Sequence, residues 1–311
     1  IGSGATWFVK SKISGSRQLF AVALDTVPRP IQTPVHGLRP ARETCEQCHR
    51  PDKFHGDKLK IKHTYESDET TTDLQTVMLM KIGSAGSLTE KPHGIHWHVS
   101  KDNTITYKAD PKRMSIPEIT LTRADGSKTV YRSEDIPENI EFEERSMDCI
   151  DCHNRPTHIY RDLETAVDEK IFAGEISREL PYIKRQAVEL LSTDYPSTEQ
   201  AEVAISRGLR DWYGKNYPEL VKSQPALLDR TVMGVRAAYN QNVFPNMNIE
   251  WGTYVNHIGH GADFDIGCFR CHDDSHESED GEVIAGDCNL CHVILAEEEE
   301  DPEILKTFTG E

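Results

Sequence analysis

The residues best equipped for chemistry recur in one five-residue pattern, Cys-x-x-Cys-His. It appears four times, as Cys45-Glu46-Gln47-Cys48-His49, Cys149-Ile150-Asp151-Cys152-His153, Cys268-Phe269-Arg270-Cys271-His272 and Cys288-Asn289-Leu290-Cys291-His292. These copies account for all 8 cysteines. Two thiols followed directly by an imidazole are the arrangement that attaches haem c. The thiols add to the haem vinyl groups as thioethers, and the imidazole lies under the iron as its proximal ligand. Disulfides and zinc are the competing uses of paired cysteines. Neither requires a histidine directly after every second cysteine.

The remaining histidines extend this chemistry. Of 14 His, four belong to the motifs, and ten are left: His36, His55, His63, His93, His96, His98, His158, His257, His260 and His276. A six-coordinate iron needs a second axial ligand, so this surplus allows bis-His ligation at every haem. Methionine is the lesser candidate where histidine is so abundant. Four clusters are expected to supply the distal ligands: His98 or His96, His158, His260 or His257, and His276. His158 and His276 follow their motif histidines too closely to reach the far face of the same haem, so each would serve a neighbouring one. If His93-Gly94-Ile95-His96-Trp97-His98 is a strand, His96 and His98 point to one face.

Composition fits this picture. The 311-residue chain is only 37% hydrophobic, low for its length, and porphyrins would supply the missing apolar bulk. A net charge of −17 argues against nucleic acid and anionic membrane surfaces as partners and suits cationic or basic redox partners. Haem c attachment implies a location outside the cytoplasm, at the cell surface, in the periplasm or beyond it. The chain opens on Ile1, which reads as a processed or trimmed start. No stretch approaches the roughly 18 apolar residues of a membrane span.

The elements that must position the motifs divide the chain into five parts. An N-terminal arm with the first motif covers 1–66, a β-rich insertion 67–148, the second motif 149–160, a helical insertion 161–250, and the last two motifs with an acidic tail 251–311. A helix is expected over Lys10 to Leu24, before a proline-rich extended stretch. Strand patterns occupy Thr76–Met80 and Thr104–Tyr107. Ile119–Thr122 and Thr129–Arg132 flank Asp125-Gly126 as a hairpin. Ile183, Ala187, Leu190 and Leu191 share a helical face, as do Leu228, Val232, Val235 and Tyr239. Ser197 and Gln200 have capping-box spacing before a helix towards Trp212. Cys268 and Cys288 are 20 positions apart, which predicts neighbouring haems. The run from Glu297 to Asp301 reads as a solvated terminus, and Arg155 and Arg270 as contacts for haem propionates. The fold class expected is a multihaem cytochrome c, organised by its haems, with little regular structure around the motifs, a small antiparallel β insertion and an α-helical insertion. The apoprotein should be largely unfolded.

Several of these stretches resemble the NapC/NirT family of multihaem cytochromes c. Cys149-Ile150-Asp151-Cys152-His153 with His158 beyond it is similar to that family's Cys-x-x-Cys-His-x4-His element. Trp7-Phe8-Val9-Lys10-Ser11-Lys12, Leu38-Arg39-Pro40-Ala41-Arg42-Glu43-Thr44-Cys45, Gly94-Ile95-His96-Trp97-His98 and Gly267-Cys268-Phe269-Arg270-Cys271-His272 also resemble segments of it or of its larger relatives. The resemblance implies haem c, electron transfer and quinol as the electron source, although the family's membrane anchor and further N-terminal haems are not in this chain. More loosely, a tetrahaem chain with long insertions is similar to subunits of extracellular cytochrome filaments, which implies self-association. The sequence-level expectation is therefore an electron carrier rather than a catalyst. The alternatives are a quinol-linked periplasmic carrier and a multihaem reductase with one open haem.

Overall fold

The computed structural model describes residues 4–34, 41–49, 56–86, 91–134, 140–261 and 264–309. His36 and His55 lie outside these residues. The described chain mixes α-helices with two antiparallel sheets. Strands β1 (Lys58–Tyr65), β2 (Asp73–Met80) and β8 (His292–Glu299) form the first sheet, in the order β1-β2-β8. Strands β3 (Asn103–Ala109), β4 (Glu118–Arg123), β5 (Lys128–Arg132), β6 (Glu143–Ser146) and β7 (Glu277–Ser278) form the second, in the order β6-β3-β4-β5-β7. The helices are α1 (Gly4–Ala23), α2 (Ala41–Cys45), α3 (Cys149–Cys152), α4 (Leu163–Phe172), α5 (Ile183–Leu191), α6 (Thr198–Asn216), α7 (Pro218–Ser223), α8 (Pro225–Asn242) and α9 (Glu303–Thr309). Among the described residues no helix is long and apolar enough to cross a membrane.

The second sheet forms where alternation and turn chemistry agree. Ile119 pairs with Tyr131 and Leu121 with Thr129 across the Asp125-Gly126 turn. Ile105, Tyr107, Ile119, Leu121 and Tyr131 then bury one face. Two features of the sheets differ from the expected single insertion. β7, just after the third motif, extends the second sheet, and β8, which begins at the fourth motif's own His292, completes the first. The C-terminal motifs are thereby anchored on strands from far earlier in the chain, Ser278 on Tyr131 and His292 on Met80. Glu297 to Glu299, expected in a solvated tail, lie in β8, with Glu299 opposite Gln75.

The helical part builds an aliphatic core of its own. Ile183, Ala187 and Leu191 on α5 meet Ile205 and Leu209 on α6 and Val232, Val235 and Tyr239 on α8, all buried. Ser197 caps α6 by accepting from the Gln200 amide at 3.3 Å. Buried Lys184 forms ion pairs with Asp168 at 2.8 Å and Glu164 at 2.9 Å, joining α5 to α4. The first sheet docks on this bundle: Tyr65 at the end of β1 enters the helical core, and His63 packs on Phe172. Haem burial is therefore not the sole organiser of the fold, because this region has a continuous apolar core without it.

Candidate functional site

Each motif lies on a single helical turn, which is what its spacing requires. A Cys-x-x-Cys pair on one turn presents both thiols to the same side. The first motif ends α2, the second forms α3, and the third and fourth occupy 3-10 turns at Gly267–Arg270 and Cys288–Leu290. The His49 and His153 amides donate back to the Cys45 and Cys149 carbonyls at 2.7 and 2.8 Å, and the His272 amide to the Cys268 carbonyl at 3.0 Å. The third turn depends on Gly267, whose φ of +63° is left-handed. A Cβ there would come within 1.8 Å of the Gly259 carbonyl oxygen, which accepts from the Cys268 amide at 2.9 Å.

Neighbour contacts link each motif to the next one in sequence. α2 packs on α3, and burial and then the neighbouring Cys45 push the Cys149 thiol up. Burial, then Cys268, pushes Cys152 up to about 11, and desolvation, with Cys152 beside it, pushes partly covered Cys271 up as well. The His260 ring lies 5.5 Å from Phe269 inside the third motif and 6.4 Å from His292 of the fourth, and Cys291 holds the Cys268 thiol down, so these two motifs are neighbours. The fourth motif is therefore next to the third, as the short link implied, and the second and third are just as closely linked. The ends of this series are open, with Cys48 and Cys288 exposed, while the thiols between them are partly covered.

A network of hydrogen bonds joins the second and third motifs. Asp151, inside the second, is 3% exposed and accepts from the Tyr107 hydroxyl, from Arg113 Nη1 at 3.3 Å and from the Asp148 amide at 2.7 Å. Asp148 also caps α3 through the Ile150 amide, completing a capping box. Arg270, inside the third motif, donates to the carbonyls of Gly267, Arg113 and Asp151 at 2.9, 2.7 and 2.8 Å. Arg155 donates to the Val255 carbonyl and the Thr33 hydroxyl and covers the Tyr254 ring at 4.7 Å. Both arginines, expected to face propionates, are thus committed to backbone and ring contacts that hold the motif loops.

The distal candidates separate into distinct environments. His98 and His272 have ring centroids 5.8 Å apart with planes at 71°, and His260 and His292 are 6.4 Å apart at 35°. Two imidazoles coordinating one metal at about 2 Å each place their centroids roughly 6 Å apart. His98 Nδ1 bonds the Ile95 carbonyl at 2.8 Å, His272 Nδ1 the Ala285 carbonyl at 3.0 Å, and His260 Nδ1 the Gly261 carbonyl at 3.0 Å. Their Nε2 atoms make no hydrogen bond among the described residues. A histidine that ligates metal commonly has one nitrogen held by the protein in this way and the other left for the metal. Burial pushes the His98 pKa down, favouring the neutral ring that ligation needs. Iron of a bound haem would fit this donor set.

His96 and His98 do not lie on a strand. Ile95–Val99 is a 3-10 turn, entered through Gly94 at φ +64°. The backbone of Gly94 passes so close to Lys81 that a Cβ would lie 2.6 Å from its carbonyl oxygen. Residues two apart on such a turn diverge, so His98 meets His272, while the electrostatic neighbour of His96 is His153. His257 is buried beside the second and third motifs, its amide held by Asn154 Oδ1 at 2.9 Å. Burial, with Arg270, Arg155 and Arg113 nearby, pushes His257 down to about 3. Its Nδ1 and that of His292 are buried without a hydrogen-bond partner among the described residues, a rare state in a finished core. His276 is different. At 1% exposure its Nδ1 bonds Asp273 at 2.8 Å and its Nε2 bonds the Ile116 carbonyl at 2.6 Å, so both nitrogens are occupied. His158 Nε2 bonds the Gln241 carbonyl at 2.7 Å, and its ring stacks on Tyr160 at 4.3 Å. The Asp151, Arg270 and Arg113 network had no signature at the sequence level, because its partners are distant in the chain.

Comparison with known proteins agrees with the motif chemistry. The chain is 44% identical over 318 aligned positions to the cytochrome c-type protein ImcH of Geobacter sulfurreducens. The match covers 99% of this chain and 61% of the relative, so the chain spans about three-fifths of that protein's length. The similarity supports a c-type cytochrome. No family model matches the chain, and no solved structure matches it.

Proposed function

We propose that this chain is a tetrahaem c-type cytochrome region that carries electrons between redox partner proteins outside the cytoplasm. The observation that carries this reading is the linked series of four motifs, with paired imidazoles set at a bis-His separation in its second half. Cys45, Cys48, Cys149, Cys152, Cys268, Cys271, Cys288 and Cys291 would hold the haems, with His49, His153, His272 and His292 as proximal ligands. His98 would complete the haem of His272, and His260 that of His292. His96 and His257 are the buried candidates for the other two. Haem c supplies reversible one-electron exchange between ferric and ferrous iron. The chain's own contribution is spacing, through the Asp151 and Arg270 network, and axial saturation, which keeps small molecules off the metal. The acidic surface favours the ferric state, which predicts low potentials.

Two finer readings belong here. The resemblance to the NapC/NirT family favours a quinol-linked source of electrons. The edges of the first sheet, β1 and β8, which have no further strand among the described residues, favour self-association, up to a filament of subunits. The test of the function itself is a potentiometric titration of the haem-loaded chain, followed optically with and without nitrite and cyanide. Four one-electron steps unaffected by either anion support a carrier. An anion-dependent high-spin component would instead indicate a reductase with an open haem.

A further inference from the structure

We propose that the first sheet joins, edge to edge, with the same sheet of a second copy of this chain, β1 of one copy pairing with β8 of the next. This deepens the self-association reading above and rests on it. Among the described residues the order β1-β2-β8 leaves both strands as edges, and each is eight residues long. An edge strand presents a row of unpaired N–H and C=O groups and recruits another strand unless something opposes it.

The two edges carry opposite charge. β1 reads Lys58-Leu59-Lys60-Ile61-Lys62, with every one of these side chains exposed. The described residues supply no acidic partner for the three lysines. Lys60 is pushed down by partial burial and then by Lys62, Arg161 and Lys58, as expected of cations gathered together. This lysine row stands out in a chain of net charge −17. β8 ends in Glu297, Glu298 and Glu299, all exposed, after the exposed apolar pair Ile294 and Leu295. Two β1 edges in parallel would oppose lysine to lysine, and two β8 edges glutamate to glutamate; antiparallel over all eight residues, they would set Lys58 and Lys60 against Tyr65 and His63, and Glu299 and Glu297 against His292 and Ile294, leaving every charge unmatched. Only β1 against β8 sets opposite charges across the new seam.

Direction follows from the same residues. Antiparallel pairing lays the Lys58 to Lys62 half of β1 along the Glu297 to Glu299 half of β8, with all eight residues overlapping. Parallel pairing over the same eight residues would set the lysines against His292, Ile294 and Ala296. The two surfaces differ, so the contact is heterologous. It leaves a free edge at each end of a pair, and it propagates into a ring or a filament. The opposing reading is that both charged edges exist to prevent pairing. The irregular β2–β8 register and the φ of +51° at Glu298 are features that also blunt edges.

Sedimentation velocity of the haem-loaded chain separates these readings, at a salt concentration that screens the long-range repulsion between acidic copies. The native chain is expected to associate as its concentration rises. Lys58→Glu with Lys60→Glu, and separately Glu297→Lys with Glu299→Lys, should each weaken association at least about tenfold. An equimolar mixture of the two variants should restore it, because each then offers the charge the other lacks. Recovery in the mixture also shows that both variants are folded, and Lys→Gln and Glu→Gln versions serve if a reversal disturbs the strand. A native chain that sediments as a single copy at every concentration overturns both self-association and this interface. Association indifferent to both sets of reversals leaves self-association standing and overturns this surface. Folded variants that fail to recover on mixing overturn the pairing of β1 with β8.

Discussion

Replacing Asp151 by alanine should strongly destabilise the haem-loaded chain. Asp151 is 3% exposed and faces Arg113, itself only 8% exposed, at 3.3 Å. Removing the carboxylate strands a buried guanidinium and the Tyr107 hydroxyl, and it opens the capping box on α3. Breaking a buried ion pair by deleting one partner costs about 3–5 kcal/mol. At roughly 2–4 °C per kcal/mol for chains of this order of size, the apparent melting midpoint should fall by about 6–20 °C. Asp151→Asn, which keeps the shape and part of the acceptor capacity, should fall between the native chain and the alanine variant. The assay is thermal unfolding followed by far-ultraviolet circular dichroism and, in parallel, by the Soret band. A further expectation is specific to the network: the Soret signal should begin to change before the helical signal, because Asp151 joins haem loops rather than helices. A drop smaller than about 2 °C for the alanine variant would refute the reasoning, since it would mean that Arg113 finds water or another partner at no cost.

Three other predictions concern the motifs and the bundle. Gly267→Ala introduces a Cβ 1.8 Å from the Gly259 oxygen at a left-handed residue. Strain of at least about 1–2 kcal/mol plus the clash should displace the third motif, lowering the iron content per chain measured by mass spectrometry and metal analysis. His98→Ala should convert about a quarter of the haem to high spin in the electron paramagnetic resonance spectrum. His276→Ala, whose nitrogens both bond to protein, should leave the spin state unchanged while lowering stability; equal spectral effects of the two would remove the distinction. A chain with its eight cysteines replaced by serine should keep the circular dichroism of α4 to α8, because the core around Ile183, Ile205 and Val235 contains no motif residue. Complete loss of helix would return the fold to one organised by haem alone.

What could be read in the sequence was whatever is encoded locally. The motifs announce themselves by spacing. The Asp125-Gly126 hairpin follows from turn chemistry, and the stripes on α5 and α8 from periodicity. Ser197 was identifiable as a cap for α6 because its partner Gln200 is three residues away. The features that were not legible depend on contacts between distant segments. β8 completes a sheet begun at Lys58, and nothing in His292 to Glu299 names β2 as its partner. The turn at Ile95–Val99 follows from a backbone crossing at Gly94, which alternation of His96 and His98, the pattern a strand would also show, cannot report. Arg270 was legible as a cation beside a haem motif, but its three acceptors belong to Gly267, Arg113 and Asp151. His276 resembled a ligand by spacing, and only the fold shows that Asp273 and Ile116 occupy its nitrogens.

The most direct test of the central claim is cryo-electron microscopy or crystallography of the haem-loaded chain, with axial ligation read at each iron. The account predicts four haems in the order of their motifs, with His98 and His272 on one iron and His260 and His292 on another. An iron with an open axial position, or haems attached in any other spatial order, would contradict it.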